Sequence, residues 1–136
     1  HSYAEDVMMF EIHVPKESNP GRYEQGTEVY DEIQQLTAIK YNGRPHWAKN
    51  SSPIFKSILE KYPAAAEFVA LKDGIDPEGV FENSFWKHLS EGFVAKRYPG
   101  CTLKRQCICE KDLDCATGYK CSTGAFFEEA RVCVKK

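Results

Sequence analysis

No cysteine precedes Cys101 in this 136-residue chain, and methionine is scarce, with 2. No apolar run approaches the roughly 18 residues that a membrane helix needs, so nothing here reads as a membrane span. An excess of one charge is also missing. The 18 basic and 20 acidic side chains leave a net charge of -2, without the basic stripe of a nucleic-acid binder. Histidine is sparse: His1, His13, His46 and His88 have no second histidine or carboxylate at zinc-motif spacing, and no metal site is expected. Asp112-Leu113-Asp114 lacks the further ligands of a calcium loop and reads as a turn. No Gly-x-Ser-x-Gly elbow marks a hydrolase. No Cys-x-x-Cys pair occurs, which removes the usual signature of both redox and zinc chemistry. The chain begins at His1 without Met or a charged-then-apolar leader, the expectation for a mature or cut N-terminus.

What is present is a 42% apolar and 12% aromatic composition, enough for a core rich in rings. The six cysteines, Cys101, Cys107, Cys109, Cys115, Cys121 and Cys133, crowd the tail. Their even number and tight spacing predict three disulfides made in an oxidising compartment, hence a secreted or secretory-pathway protein. Which cysteines pair is left open by the spacing. With every cysteine in structural use, none is a candidate nucleophile. The composition shift sets two units, residues 1–99 and 100–136, joined at a Tyr98-Pro99-Gly100 hinge. Asn50-Ser51-Ser52 is an N-glycosylation acceptor if the chain passes through the secretory route.

Periodicity supplies the elements. Phe10, Ile12 and Val14 alternate with Glu11 and His13, which predicts a half-buried strand over 7–14, stopped by Pro15. Residues 16–26 read as a loop. Thr27 is positioned to cap an amphipathic helix over 28–41, with Val29, Ile33, Leu36 and Lys40 sharing the inward face and Tyr30 and Ile39 at its flanks. Asn42-Gly43 and Pro45 stop it. Ser52-Pro53 opens a second helix with Ile54, Phe55, Ile58 and Leu59 inward. Pro63 starts a third through Lys72 with Phe68, Val69 and Leu71 inward. The turn over 76–81 is expected to return Val80 and Phe81 to the body. Residues 84–91 form a fourth helix. The expected class is α+β: a mainly helical body with one or two strands and a disulfide-rich C-terminal module. A lone strand leaves its backbone groups unpaired, so the rest of its sheet is expected elsewhere.

Several segments then resemble a known family. Asn42-Gly43-Arg44-Pro45-His46-Trp47-Ala48-Lys49-Asn50 is similar to the Pro-His-Trp-Gly-Lys segment of the aldonolactone oxidases, which are vanillyl-alcohol-oxidase-like flavoproteins. Glu60-Lys61-Tyr62-Pro63 and Asp76-Pro77-Glu78-Gly79-Val80-Phe81 resemble that family's closing helix and its Asp-Pro-x-Gly-x-Phe turn. Gly100-Cys101-Thr102-Leu103, Cys107-Ile108-Cys109, Gly118-Tyr119-Lys120-Cys121 and Glu129-Ala130-Arg131-Val132-Cys133 resemble the cysteine-rich extension of plant L-gulonolactone-oxidase-like proteins. His-Trp-x-Lys alone is a weak signal; the whole set in one order is a strong one.

The resemblance implies a C-terminal portion of an FAD-dependent L-gulono- or L-galactono-1,4-lactone oxidase. It implies that Lys49 lies on the substrate side, as a donor and positive charge for the sugar hydroxyl that loses its hydride. Without the resemblance, Lys49 reads as a solvated surface lysine. His46 has two readings, a flavin- or substrate-facing residue and a hydrogen-bonded core histidine. Trp47 reads as packing. Ala48 replaces the family's usual glycine, which puts a methyl where the backbone approach is tight. The family's flavin-binding domain, with its Gly-rich phosphate loop, has no counterpart in these residues, so no cofactor is expected in this chain and no catalysis by it alone. Its expected partner is an upstream flavin-binding domain or a second copy of itself. A stand-alone secreted plant defence protein, antimicrobial or inhibitor-like, is the alternative, since Cys-x-x-Asp-x-Asp-Cys-x-x-Gly-x-x-Cys also suits small stapled scaffolds.

Overall fold

A computed structural model of the chain describes residues 8–9, 11–13, 18–48 and 52–136. Its class is α+β. Helices α1 (Thr27–Ile39), α2 (Ala65–Ile75) and α3 (Ser84–Ser90) precede two strands, β1 (Tyr119–Thr123) and β2 (Arg131–Lys135), paired antiparallel. Both strands lie in the cysteine-rich tail. The described residues of the strand expected near the N-terminus, 8–9 and 11–13, carry no strand and are exposed; the others lie outside the described residues. A pair closed by a short turn satisfies its own ladder, which a strand without a neighbour cannot do.

Helix α1 begins one residue before the expected start. Gly26, at φ 78, is its N-cap, and the Thr27 hydroxyl turns back to donate to Glu24 O at 2.7 Å. It ends where Asn42-Gly43 predicts. The Gly43 N–H donates to Thr37 O at 2.8 Å, and a Cβ there would lie 2.5 Å from Thr37 Cγ2 and 2.9 Å from Thr37 O. Only glycine allows that approach. The inward face is a correction to the apolar stripe read from the sequence. Thr27, Glu32, Gln34 and Gln35 are buried, while Val29 and Ile39 are exposed. The surface that α1 meets is a turn and a strand edge, which present backbone donors and acceptors that polar side chains satisfy.

The helix expected from Ser52-Pro53 is instead two 3-10 turns, Ser52–Phe55 and Ile58–Lys61, separated at Ser57 in the left-handed region (φ 54). Its apolar residues still face inward. Phe55, Ile58, Leu89 and Phe93 form the core of the body, with Leu59, Tyr62 and Trp86 against it. Helix α3 is fixed by Asn83, whose side chain accepts from the Trp86 N–H at 2.8 Å.

Helix α2 departs furthest from expectation. It has no buried residue; Phe68 and Leu71 are exposed, and Val69 is half-buried. The turn after it also points outward. The Asp76 carboxylate accepts from the Val80 and Phe81 N–H groups at 2.8 and 2.9 Å, and both of those side chains stand in solvent, Phe81 at 89% exposure. The pattern marks these residues for burial; Phe68 meets the Trp86 ring edge-on at 5.6 Å, yet it, Leu71, Val80 and Phe81 all remain more than half exposed.

The tail is closed by Cys101–Cys107, Cys109–Cys121 and Cys115–Cys133. Cys121 faces Cys133 across the ladder, and each is tied to a cysteine of the preceding loop. The Asp112–Asp114 segment is a 3-10 turn, in keeping with the turn read there. Buried Asp114 accepts from Glu110 N–H and Lys111 N–H at 2.8 and 3.2 Å and meets Arg97 at 3.1 Å.

Candidate functional site

Two places gather polar chemistry, the segment that carries the His-Trp motif and the seam between α1 and the tail. The motif segment leaves the closing turn of α1. Lys61 holds that turn from below, its ammonium donating to Ala38 O at 2.7 Å and Gly43 O at 3.0 Å. Burial holds the Lys61 pKa below the usual lysine value. Pro45 is buried. Trp47 stacks on Tyr62 at 5.8 Å and leans on Phe55 at 5.5 Å, and the Arg44 guanidinium lies 4.6 Å from the Tyr62 ring centroid. This aromatic floor presents His46 outward. His46 is exposed, and its Nδ1 accepts from the Ala48 N–H at 3.1 Å. That bond orients the ring. Ala48 is exposed. Lys49 and the Asn50 acceptor lie outside the described residues.

The seam was not read from the sequence. Glu32 on α1 reaches into the turn between β1 and β2, where its carboxylate accepts three backbone N–H groups: Ala125 at 3.0 Å, Phe126 at 2.5 Å and Phe127 at 2.6 Å. Burial raises its pKa, but the N–H groups of Phe126, Phe127 and Ala125 outweigh burial and hold it below the usual value. Gly124 makes room for it, since a Cβ there would lie 2.6 Å from Glu32 Oε1. Three residues along, the Gln35 amide donates to Arg131 O and accepts from Arg131 N–H, both at 2.9 Å, extending the β2 edge by one ladder step. Tyr23 bonds Thr102 Oγ1 at 2.6 Å and accepts from Ala116 N–H at 3.0 Å. Glu24 pairs with Arg105 at 2.6 Å. The available sequence signal was the pair of polar steps Asp31-Glu32 and Gln34-Gln35 on either side of Ile33, which a periodicity argument assigns to solvent.

The sulfurs of Cys109, Cys115 and Cys133 lie within 4.8 Å of one another, but all three are bonded in disulfides and offer no thiolate to a metal. A cavity of about 160 Å³ lies beside α3, lined by Phe85, His88, Phe93 and Lys96 among others, and one of about 20 Å³ lies at the seam. No described helix is long and apolar enough to cross a membrane.

Comparison with known proteins covers the same two regions. A family model described as D-arabinono-1,4-lactone oxidase matches residues 6–89, and one described as L-gulonolactone oxidase 2-like, C-terminal domain, matches residues 98–135. The chain is similar to L-gulonolactone oxidase 2 of Arabidopsis thaliana, 38% identical over 112 residues, which are 79% of this chain and 19% of that protein. Probable L-gulonolactone oxidase 6 of the same plant is 35% identical over 121 residues, 86% of this chain and 20% of that protein. A shorter relative, probable truncated L-gulonolactone oxidase 7, mitochondrial, is 36% identical over 110 residues, 78% of this chain and 44% of that protein. The chain thus spans about a fifth of the length of the first two. No solved structure gives a significant match.

Proposed function

The chain belongs to the D-arabinono-1,4-lactone oxidase family, and we propose that it is the substrate-side C-terminal portion of an FAD-dependent L-gulono- or L-galactono-1,4-lactone oxidase, inactive without a flavin-binding partner. The observation that carries this reading is the match of the two family models, in order, over residues 6–89 and 98–135. The family is FAD-dependent. The cavities at the seam and beside α3, about 20 and about 160 Å³, are each smaller than the roughly 300 Å³ at which ligand pockets begin, so neither is offered as a flavin site and no step through the flavin is assigned to the described residues.

In this reading, Lys49 supplies a donor and positive charge to a lactone hydroxyl, and His46, on the aromatic floor of Trp47 and Tyr62, belongs to the same substrate side. Residues 1–99 carry the substrate side, and residues 100–136 form a separate stapled unit. The partner seat is the outward face of α2 and the turn after it, where Phe68, Leu71, Ile75, Val80 and Phe81 are all more than half exposed. The occupant is the flavin-bearing part of a longer oxidase, because the full-length relatives are about five times the length of the match. A second copy of this chain is the competing occupant.

The test is direct. The purified chain is mixed with FAD and L-gulono-1,4-lactone, and acceptor reduction and the visible spectrum are followed, alone and with the N-terminal part of a full-length relative. Activity only in the mixture supports the proposal. A yellow, active chain alone overturns it, and sedimentation separates a heterologous complex from a homodimer.

Three disulfides within 33 residues favour passage through an oxidising compartment. Secretion and glycosylation at Asn50 follow as part of the proposal, checked by intact mass before and after glycosidase treatment. The same stapled tail favours a second reading, a secreted defence protein that binds a target without catalysis. A growth-inhibition assay with oxidised and reduced chain tests it; no effect from either removes it.

A further inference from the structure

Lys-Arg occurs twice in the chain, at Lys96-Arg97 and Lys104-Arg105, and the two pairs sit in opposite settings. Lys104-Arg105 lies inside the loop closed by Cys101–Cys107, in a run of tight turns. There Leu103 N–H donates to Gly100 O, Arg105 N–H to Thr102 O, and Gln106 N–H to Cys101 O. Arg105 also has a left-handed backbone, φ 53, and pairs with Glu24. Lys96-Arg97 lies between α3 and the tail, in residues 93–98, which carry no helix, strand or turn. Phe93, buried in the body core, anchors one end of this stretch. The Gly100 N–H, donating to Leu113 O at 2.9 Å, anchors the other. Among the described residues, no backbone hydrogen bond joins residues 94–97 to other backbone. Val94, Lys96, Arg97 and Tyr98 are exposed. A protein cleft that takes a peptide as an added strand uses such open N–H and C=O groups, and nicking concentrates where they are exposed.

We propose that the Arg97–Tyr98 bond is a processing site for a serine endoprotease with acidic pockets for paired basic side chains, and that the cut separates the stapled tail from the body. Hydrolysis breaks the bond between the Arg97 carbonyl carbon and the Tyr98 nitrogen; water gives its hydroxyl to the new Arg97 carboxyl and a proton to the new Tyr98 amine. Successive side chains of an extended backbone point to opposite faces, so Lys96 and Arg97 enter separate pockets. No disulfide crosses the cut, and the family match of the tail opens at residue 98. The cut thus falls at the edge of a unit that keeps its own staples. Arg97 is the guarded member of the pair: its guanidinium donates to Asp114 at 3.1 Å and to Ile108 O at 3.4 Å, and it also meets Glu110. It must leave these acceptors to enter a pocket, which makes the folded chain the decisive substrate. Such proteases act along the secretory route, so this step rests on the oxidising-compartment reading proposed above.

The folded, oxidised chain is incubated with a serine endoprotease specific for Lys-Arg pairs, and its products are weighed without reductant. Two are expected, residues 1–97 and residues 98–136 with three intact disulfides. Lys96→Gln, a change at an exposed side chain, should slow the cut by at least about tenfold, because one acidic pocket is left without its charge. A folded chain that stays intact while the unfolded one is cut overturns the site. So does an equal rate in Lys96→Gln, or a cut after Arg105, whose two halves stay joined by Cys101–Cys107 until they are reduced. This assay does not depend on where the protein resides, so failure of the site and failure of the secretion reading are separate outcomes. With the chain routed through a secretory pathway by an added leader, the tail recovered from the medium should begin at Tyr98; medium holding only uncut chain overturns the proposal.

Discussion

The body and the tail solve the same problem of holding a small fold in opposite ways. The body relies on one cluster of buried apolar residues, Phe55, Ile58, Leu89 and Phe93, with Ile54 buried beside it in sequence, and leaves a whole helix, α2, without a buried side chain. The tail buries Cys101, Cys107, Cys109, Cys115 and Cys133 and closes on itself with covalent bonds. A region that spends its aromatic residues on the outside is shaped to be completed by other surface. A region stapled within 33 residues is held by its own covalent bonds, although its turn and strand edge still take acceptors from α1. The seam joins the two largely through polar groups that meet the tail's backbone, with one ring contact where Tyr23 packs on Tyr119 at 4.6 Å.

This contrast can be broken at several points, from the largest expected effect to the smallest. Phe55→Ala empties the centre of the body core and should cost about 3–5 kcal/mol in urea unfolding. The tail's disulfides should survive it; a loss below about 1 kcal/mol would mean that the body does not depend on this core. Removing the 18-residue closure with Cys115→Ala and Cys133→Ala should cost about 3 kcal/mol by chain entropy, and amide exchange should show β1 and β2 opening before α3. If α3 opens first, the tail is not an independent unit.

Glu32→Ala strands three N–H groups, that of Phe127 buried and those of Ala125 and Phe126 partly so, and should cost about 2–3 kcal/mol. Acid should reproduce that loss in the wild type. The clamp's contribution is present above pH 4.5 and fades as pH falls through the lower folded value, which thermal melts across pH 5 to 2 would show. The smallest effect is expected at the outward face. Leu71→Ser with Phe81→Ser should shift stability of the chain alone by less than about 0.5 kcal/mol and yet abolish association with a flavin-bearing partner. A large loss of stability would show that these residues already pack at home.

Much of the local structure was legible. Asn42-Gly43 ends α1 because the Gly43 amide must close on Thr37 without a Cβ, and Asn83 starts α3 through its side-chain oxygen. These signals are local and survive any tertiary context. Inward residues were legible only where the partner surface is apolar, as for Ile54, Phe55 and Ile58. The same reasoning failed on α1, where the partner is backbone, and on α2, where Trp86 touches Phe68 but buries no residue of the helix. The His-Trp segment was legible as a motif. The Lys61 strut and Tyr62 platform that present it come from 12 or more residues away and leave no periodic trace.

By itself the sequence determined the family, the position of the stapled tail, the turns that stop its helices and the use of all six cysteines in structure. Only the tertiary structure decided which cysteines pair, that the strands belong to the tail, and that Glu32 and Gln35 face inward. The physical reason is that apolar periodicity records which side chains avoid water, not what the opposing surface offers. Where that surface is a strand edge and a turn rich in N–H groups, a carboxylate and an amide are the residues that fit.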